Sequence, residues 1–166
     1  MIVLGIDPGT ANTGYGVVAS HDGRLVALDG GVVQTPPHLA AERRLLAIDS
    51  AVAALLESHR PAALAVEELY FGQNARTAFA VGQARGVVML AAARHGVRCQ
   101  GYTPQQVKAA VCGSGRAGKE QVARMVKTLL GLAEEPRPDH AADALAVAVC
   151  HLNSAPLARA LAEAPA

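Results

Sequence analysis

Apolar and polar positions along the 166-residue chain change period several times, and each change marks an element. Residues 2 to 7, IVLGID, are apolar and β-rich without strict alternation, the pattern of a central strand covered on both faces. Gly14 to Ala19 and Leu25 to Val33 predict two more strands, and His21-Asp22-Gly23-Arg24 between them contains an Asp-Gly turn. An antiparallel meander therefore opens the fold. After Pro36-Pro37, the residues Leu39, Leu45, Leu46, Ile48, Val52, Leu55 and Leu56 recur at helical spacing until Pro61. Ala62 to Leu69 is a fourth strand broken by Glu67 and Glu68, with a loop through Gly72 behind it. A long helix follows from about Ala75 to Arg94, then a strand near Val97 to Tyr102, and Thr103-Pro104 opens another helix. Beyond a glycine loop, 113 to 118, come a helix to about Leu130 and a last one from about Asp139 to Leu152. The order predicts an α/β fold, a mixed sheet flanked by helices, with no internal repeat.

Length and composition narrow this picture. The chain suffices for one well-buried core and is short for two, so a single domain is expected over residues 1–153. The Ala-rich tail, 154–166, is expected to fray. No apolar run reaches the ~18 residues of a membrane span, and the start lacks the charged region of a signal peptide, which points to the cytoplasm. Cys99, Cys112 and Cys150 are odd in number and far apart, so they suggest buried small hydrophobes rather than a disulfide framework or a zinc site. The net charge of +1 exerts no global pull on a polyanion. Locally, however, Lys108, Arg116, Lys119, Arg124 and Lys127 face only Glu120 in one stretch, either a solvated surface or a phosphate-tracking one.

The candidate chemistry lies in acids at strand ends. If the first and fourth strands are parallel neighbours, Asp7 and either Glu67 or Glu68 share one rim of the sheet, where open α/β sheets place ligands. In the last helix, Asp139, His140 and Asp143 are spaced three and four apart, on one face of its first turn, although Asp139 also reads as a helix cap. Carboxylates held a few ångströms apart repel unless a cation lies between them, and hard oxygen ligands suit Mg²⁺ or Mn²⁺. Two such ions would support phosphodiester hydrolysis. The competing reading makes Asp7 a turn cap, leaves Glu67 and Glu68 solvated and pairs Asp143 with an arginine. Gly113-Ser-Gly-Arg-Ala-Gly118-Lys119 fits most of a P-loop, but Glu120 stands where a hydroxyl should hold Mg²⁺ and no clear strand leads in, so it reads as a basic loop. Tyr70 and Phe71 sit in a loop beside the acid rim, where such residues are either core plugs or stacking platforms for an unpaired base.

Taken together, GIDPGT with TGYG, AVEELYFGQNARTA, GQARGV, TPQQVKAAV and DHAADALAVAV resemble, in order and spacing, the RuvC-type Holliday-junction resolvases of bacteria. The resemblance runs from Ile2 to about Leu152. It implies an RNase H-like fold with a five-stranded mixed sheet, and a homodimer in which each subunit nicks one of two like-polarity strands of four-way junction DNA. It places the catalytic, metal-holding positions on Asp7, on Glu67 rather than Glu68, on Asp143 and on His140, the last an aspartate in many members. It implies two Mg²⁺ per subunit; imidazole, softer than carboxylate, adds Mn²⁺ as an alternative or preferred ion. DNA-binding positions fall on Lys108 and Lys119, with Arg116 in the same basic stretch, and the base-stacking position on Tyr70. The partners implied are branch-migration proteins of the RuvA and RuvB type. An RNase H-like nuclease of ribosomal RNA maturation shares the GIDPGT-like opening but is shorter and lacks the block from Gln105 to Lys119. Actin-like sugar kinases and chaperone ATPases also begin with a strand, Asp, Gly and Thr, but need two large lobes; a junction-binding scaffold without chemistry is the non-catalytic alternative.

Overall fold

The computed structural model describes residues 1–68 and 75–163, with side chains over 1–68 and 78–154. Its strands are β1 (Ile2–Asp7), β2 (Asn12–His21), β3 (Arg24–Gln34), β4 (Ala63–Glu67) and β5 (Arg98–Tyr102). The helices are α1 (Ala41–His59), α2 (Ala75–Arg94), α3 (Pro104–Cys112), α4 (Lys119–Leu130) and α5 (Asp139–Glu163). The five strands form one mixed sheet in the order β3-β2-β1-β4-β5. β1 pairs antiparallel with β2, which pairs antiparallel with β3, while β4 runs parallel to both β1 and β5. This is the RNase H-like arrangement, and it makes the first and fourth strands the parallel neighbours that the acid rim requires.

Strand parity sorts the core into two layers, since successive side chains leave opposite faces. Leu4, Ile6, Val17, Leu64 and Val66 pack against α1 and α2 through Ile48, Val52, Leu56, Ala84, Val88 and Ala92. Val3, Val18, Ala65 and Tyr102 pack against α3, α4 and α5. The apolar run IVLGID thus lacks alternation because both of its faces are covered. Asp7 follows Val3 and Gly5 in parity, and Glu67 follows Ala63 and Ala65, so both acids leave the sheet on the α5 face.

α5 lies unusually close to that face. A Cβ on Gly5 would fall 2.1 Å from the Ala144 carbonyl oxygen, one on Gly14 would fall 2.0 Å from the His140 carbonyl oxygen, and one on Gly16 would meet Leu145 at 2.8 Å. The glycines of β1 and β2 form a trench, and the buried Ala144 and Ala148 of α5 settle into it against Gly5. This helix was expected to end near Leu152; it continues to Glu163 through an alanine-rich, glycine-free segment despite Pro156.

Candidate active site

The turn after β1 delivers the first acid. Pro8 ends the strand, and Gly9 is needed because a Cβ there would lie 2.4 Å from the Asn12 carbonyl oxygen. The Thr13 hydroxyl donates to the Gly9 carbonyl at 2.6 Å, and the Thr35 hydroxyl donates to the Thr10 carbonyl while accepting from Arg44 Nε at 2.8 Å. The loop is therefore held from inside the fold, and Asp7 is fixed at the sheet rim with only 16% of its side chain exposed.

Glu67 arrives from β4. The parallel register aligns Ile6 with Val66, so Asp7 and Glu67 are lateral neighbours across one strand spacing, about 4.8 Å. Glu68 departs on the opposite face: its N–H donates to the Tyr102 carbonyl at 2.8 Å and its carboxylate lies against Gly101. Parity therefore separates the two glutamates that periodicity alone left open.

The first turn of α5 supplies the remaining candidate ligands. One ligand atom from each of Asp7, His140 and Asp143 lies within 4.8 Å of the others, a group able to hold a metal ion. His140 Nδ1 stands 2.7 Å from Asp7 Oδ2. Asp143 Oδ2 receives Lys119 Nζ at 3.3 Å, and the same ammonium reaches Asp139 Oδ2 at 3.3 Å. Asp139, read from the sequence as a helix cap, is the first residue of α5, and its carboxylate is turned to Lys119. Nothing in the spacing of residues predicts that pairing, because Lys119 belongs to a different helix.

The acids disturb one another. Burial raises the Glu67 carboxyl to about 7, with the charges of Asp7 and Asp143 adding to the rise and Lys108 working against it. Burial also raises Asp7; the His140 hydrogen bond opposes that rise and the Asp143 charge reinforces it. A carboxyl that titrates near neutrality beside two further acids is what a site looks like when its favoured state includes bound positive charge. The gathered donors, two carboxylates and one imidazole without a thiolate, fit Mg²⁺ or Mn²⁺, and Glu67 adds a third carboxylate beside Asp7, outside the 4.8 Å group.

A cleft of about 180 Å³ opens beside this group, lined by Glu67, Pro104, Val107, Lys108, Lys119, Val122, Asp143 and Ala146. Carboxylates thus line a space to which Lys108 of α3 and Lys119 of α4 bring positive charge. α3 is fixed there by its Thr103 capping box and Pro104. Arg116 is exposed on the 113–118 loop, outside the lining of this cleft. Because that loop joins α3 to α4 rather than a strand to a helix, the P-loop arrangement is absent. Tyr70 and Phe71 lie outside the described residues.

Known proteins share both sequence and structure with this chain. The sequence pattern of the family described as RuvC, crossover junction endodeoxyribonuclease, matches residues 3–151. The chain belongs to this family. A crossover junction endodeoxyribonuclease RuvC of Moorella thermoacetica is 55% identical over 156 residues, covering 94% of this chain and 93% of that one. The Thermus thermophilus RuvC structure superposes with a TM-score of 0.89 at 45% identity, covering 95% of this chain and 97% of the other. T. thermophilus RuvC in complex with a Holliday junction substrate gives a TM-score of 0.87 at 43% identity, covering 95% and 96% of the two chains. RuvC membership makes the chain an endodeoxyribonuclease and sets aside the RNA-maturation, kinase-like and scaffold readings. Among the described residues no helix is long and apolar enough to cross a membrane.

Proposed function

We propose that this RuvC-family chain resolves four-way DNA junctions by paired nicks in strands of like polarity, using divalent ions held by Asp7, Glu67, His140 and Asp143. The observation that carries this is the gathering of ligand atoms from Asp7, His140 and Asp143 within 4.8 Å. Two Mg²⁺ or Mn²⁺ ions would supply an activated water and stabilise the leaving oxygen. The chain's own residues do the rest. Asp7, at the centre of the group, would be the principal ligand, with Glu67 and Asp143 flanking it from β4 and α5. His140 ligates through a ring nitrogen or orients water. Lys108 and Lys119 draw a phosphate into the cleft next to Glu67 and Asp143, and Arg116 follows the backbone further out on its loop. Tyr70 is assigned the stacking of an unpaired base.

Symmetric nicking calls for two such sites related by a two-fold axis, hence a homodimer. The exposed Phe79, Met89 and Leu90 of α2, on the layer opposite α5, leave apolar surface free for a second copy. Branch-migration proteins of the RuvA and RuvB type are the partners, and the cytoplasm is the setting. Digesting a mobile four-way junction with Mg²⁺ or Mn²⁺, and mapping cuts on all strands, tests this reading. Paired cuts at symmetric positions are expected, with linear duplex and structured RNA left intact. Asp7→Asn should bind the junction and lose about 10²- to 10³-fold in cleavage. Metal-independent cutting, or cutting retained in Asp7→Asn, would overturn the assignment.

A further inference from the structure

Lys119 touches the proposed metal site from outside, and its partners are arranged unusually. Its ammonium bridges Asp143 and Asp139, 3.3 Å from an oxygen of each. The two acids are one helical turn apart on α5 and share the outer cleft, of about 510 Å³, with Arg124, Glu135 and Arg137; Asp143 also lines the inner cleft with Glu67, and Asp139 does not. Lys119 lines both. Its side chain is 61% exposed, that of Asp139 75%, and that of Asp143 only 31%. A flexible, strongly hydrated point charge is thus paired with one metal-site acid, Asp143, with a second, more exposed acid alongside.

Building on the function proposed above, we infer that Lys119 is an exchangeable counter-ion: it neutralises Asp143 before metal arrives and withdraws to Asp139 when a divalent ion takes Asp143. The ammonium and the divalent ion compete for the same carboxylate, because Asp143 belongs both to the ligand group and to the Lys119 pair. Asp139 is then a positioning residue acting through Lys119. It retains the ammonium at the edge of the cleft, where a phosphate can use it, rather than releasing it into solvent. His140 plays no such part, since its contact is with Asp7. An exposed ion pair corresponds to a factor of up to about five in an equilibrium, which sets the size of the effect.

The test is Mn²⁺ binding without DNA, measured by electron paramagnetic resonance of the free ion at about 0.15 M salt, where long-range charge effects are largely screened. Lys119→Met should bind Mn²⁺ about three- to five-fold more tightly than wild type. Asp139→Asn should bind about two-fold more weakly, since Lys119 then has only Asp143. The double variant should bind as Lys119→Met does, because Asp139 acts only through the lysine. Additive effects of the two substitutions, or Lys119→Met binding no more tightly than wild type, would overturn the exchange while leaving the metal site standing. Absence of Mn²⁺ uptake by the wild type would remove both.

Discussion

At the scale of single residues, the informative group is Glu67. Burial and the charges of Asp7 and Asp143 set its carboxyl at about 7 against an ordinary 4.5. In metal-free protein the native state therefore holds a proton that the unfolded chain releases. Stability should fall as the pH rises from about 4.5 to 7 and stay low above that range. Asp7, also raised by burial, adds to the same trend. Thermal melts in a chelator across this range should show the decline; Glu67→Gln should flatten it and raise the midpoint at pH 8 by several degrees. Saturating Mg²⁺ should restore the wild type most strongly above pH 7, where Glu67 is ionised and able to ligate. A metal-free protein whose stability rises with pH across that window would mean that Glu67 is not crowded by its neighbours.

At the scale of elements, the site depends on how closely α5 approaches the sheet. Asp7 and Glu67 are fixed by strand parity, but His140 and Asp143 reach them only because Gly5, Gly14 and Gly16 leave no side chains in the way. Gly14→Ala would place a Cβ on the His140 carbonyl and push apart the turn that carries two proposed ligands. Overpacking of this kind costs about 3 kcal/mol, or near 10 °C in Tm for a chain of this length. Because the displacement centres on His140, junction cleavage measured well below the melting midpoint should fall more in Gly14→Ala than in Gly16→Ala, whose Cβ meets the Leu145 side chain and backbone nitrogen further along α5. Equal losses in the two variants would show that the damage is general rather than local.

The same elements show how far the sequence could be read. The order of strands and helices follows from hydrophobic period and from breakers such as Pro36-Pro37 and Gly113, which have local physical causes. The shared rim of Asp7 and Glu67 followed from a parallel β1–β4 pairing, and that pairing is present. Glu67 could not be told from Glu68 by periodicity, because β4 is apolar on both faces; the register with β1 and β5 separates them. The glycine trench was not legible, since closeness between β1, β2 and α5 is a tertiary property of residues more than a hundred positions apart. The Lys119–Asp139 pair is illegible for the same reason, since the sequence offers Asp139 only local roles, in the acid face of the first turn of α5 or as its cap.

At the scale of the molecule, one face of the sheet carries the proposed chemistry and the other carries exposed apolar surface. α3, α4 and α5 surround the acids and their lysines, while α2 presents Phe79, Met89 and Leu90 outward. Such a division lets a second copy dock on one layer without obstructing the cleft on the other, as symmetric cutting of a four-way junction requires. The account rests on charge gathered from β1, β4 and α5 being matched by bound divalent ions. The most direct measurement is anomalous diffraction from crystals equilibrated with Mn²⁺. The account predicts Mn²⁺ peaks within ligating distance of Asp7, with Glu67, His140 and Asp143 completing the coordination and Lys119 shifted toward Asp139. Mn²⁺ bound elsewhere in a protein that still cuts junctions, with these four side chains free of it, would contradict the account.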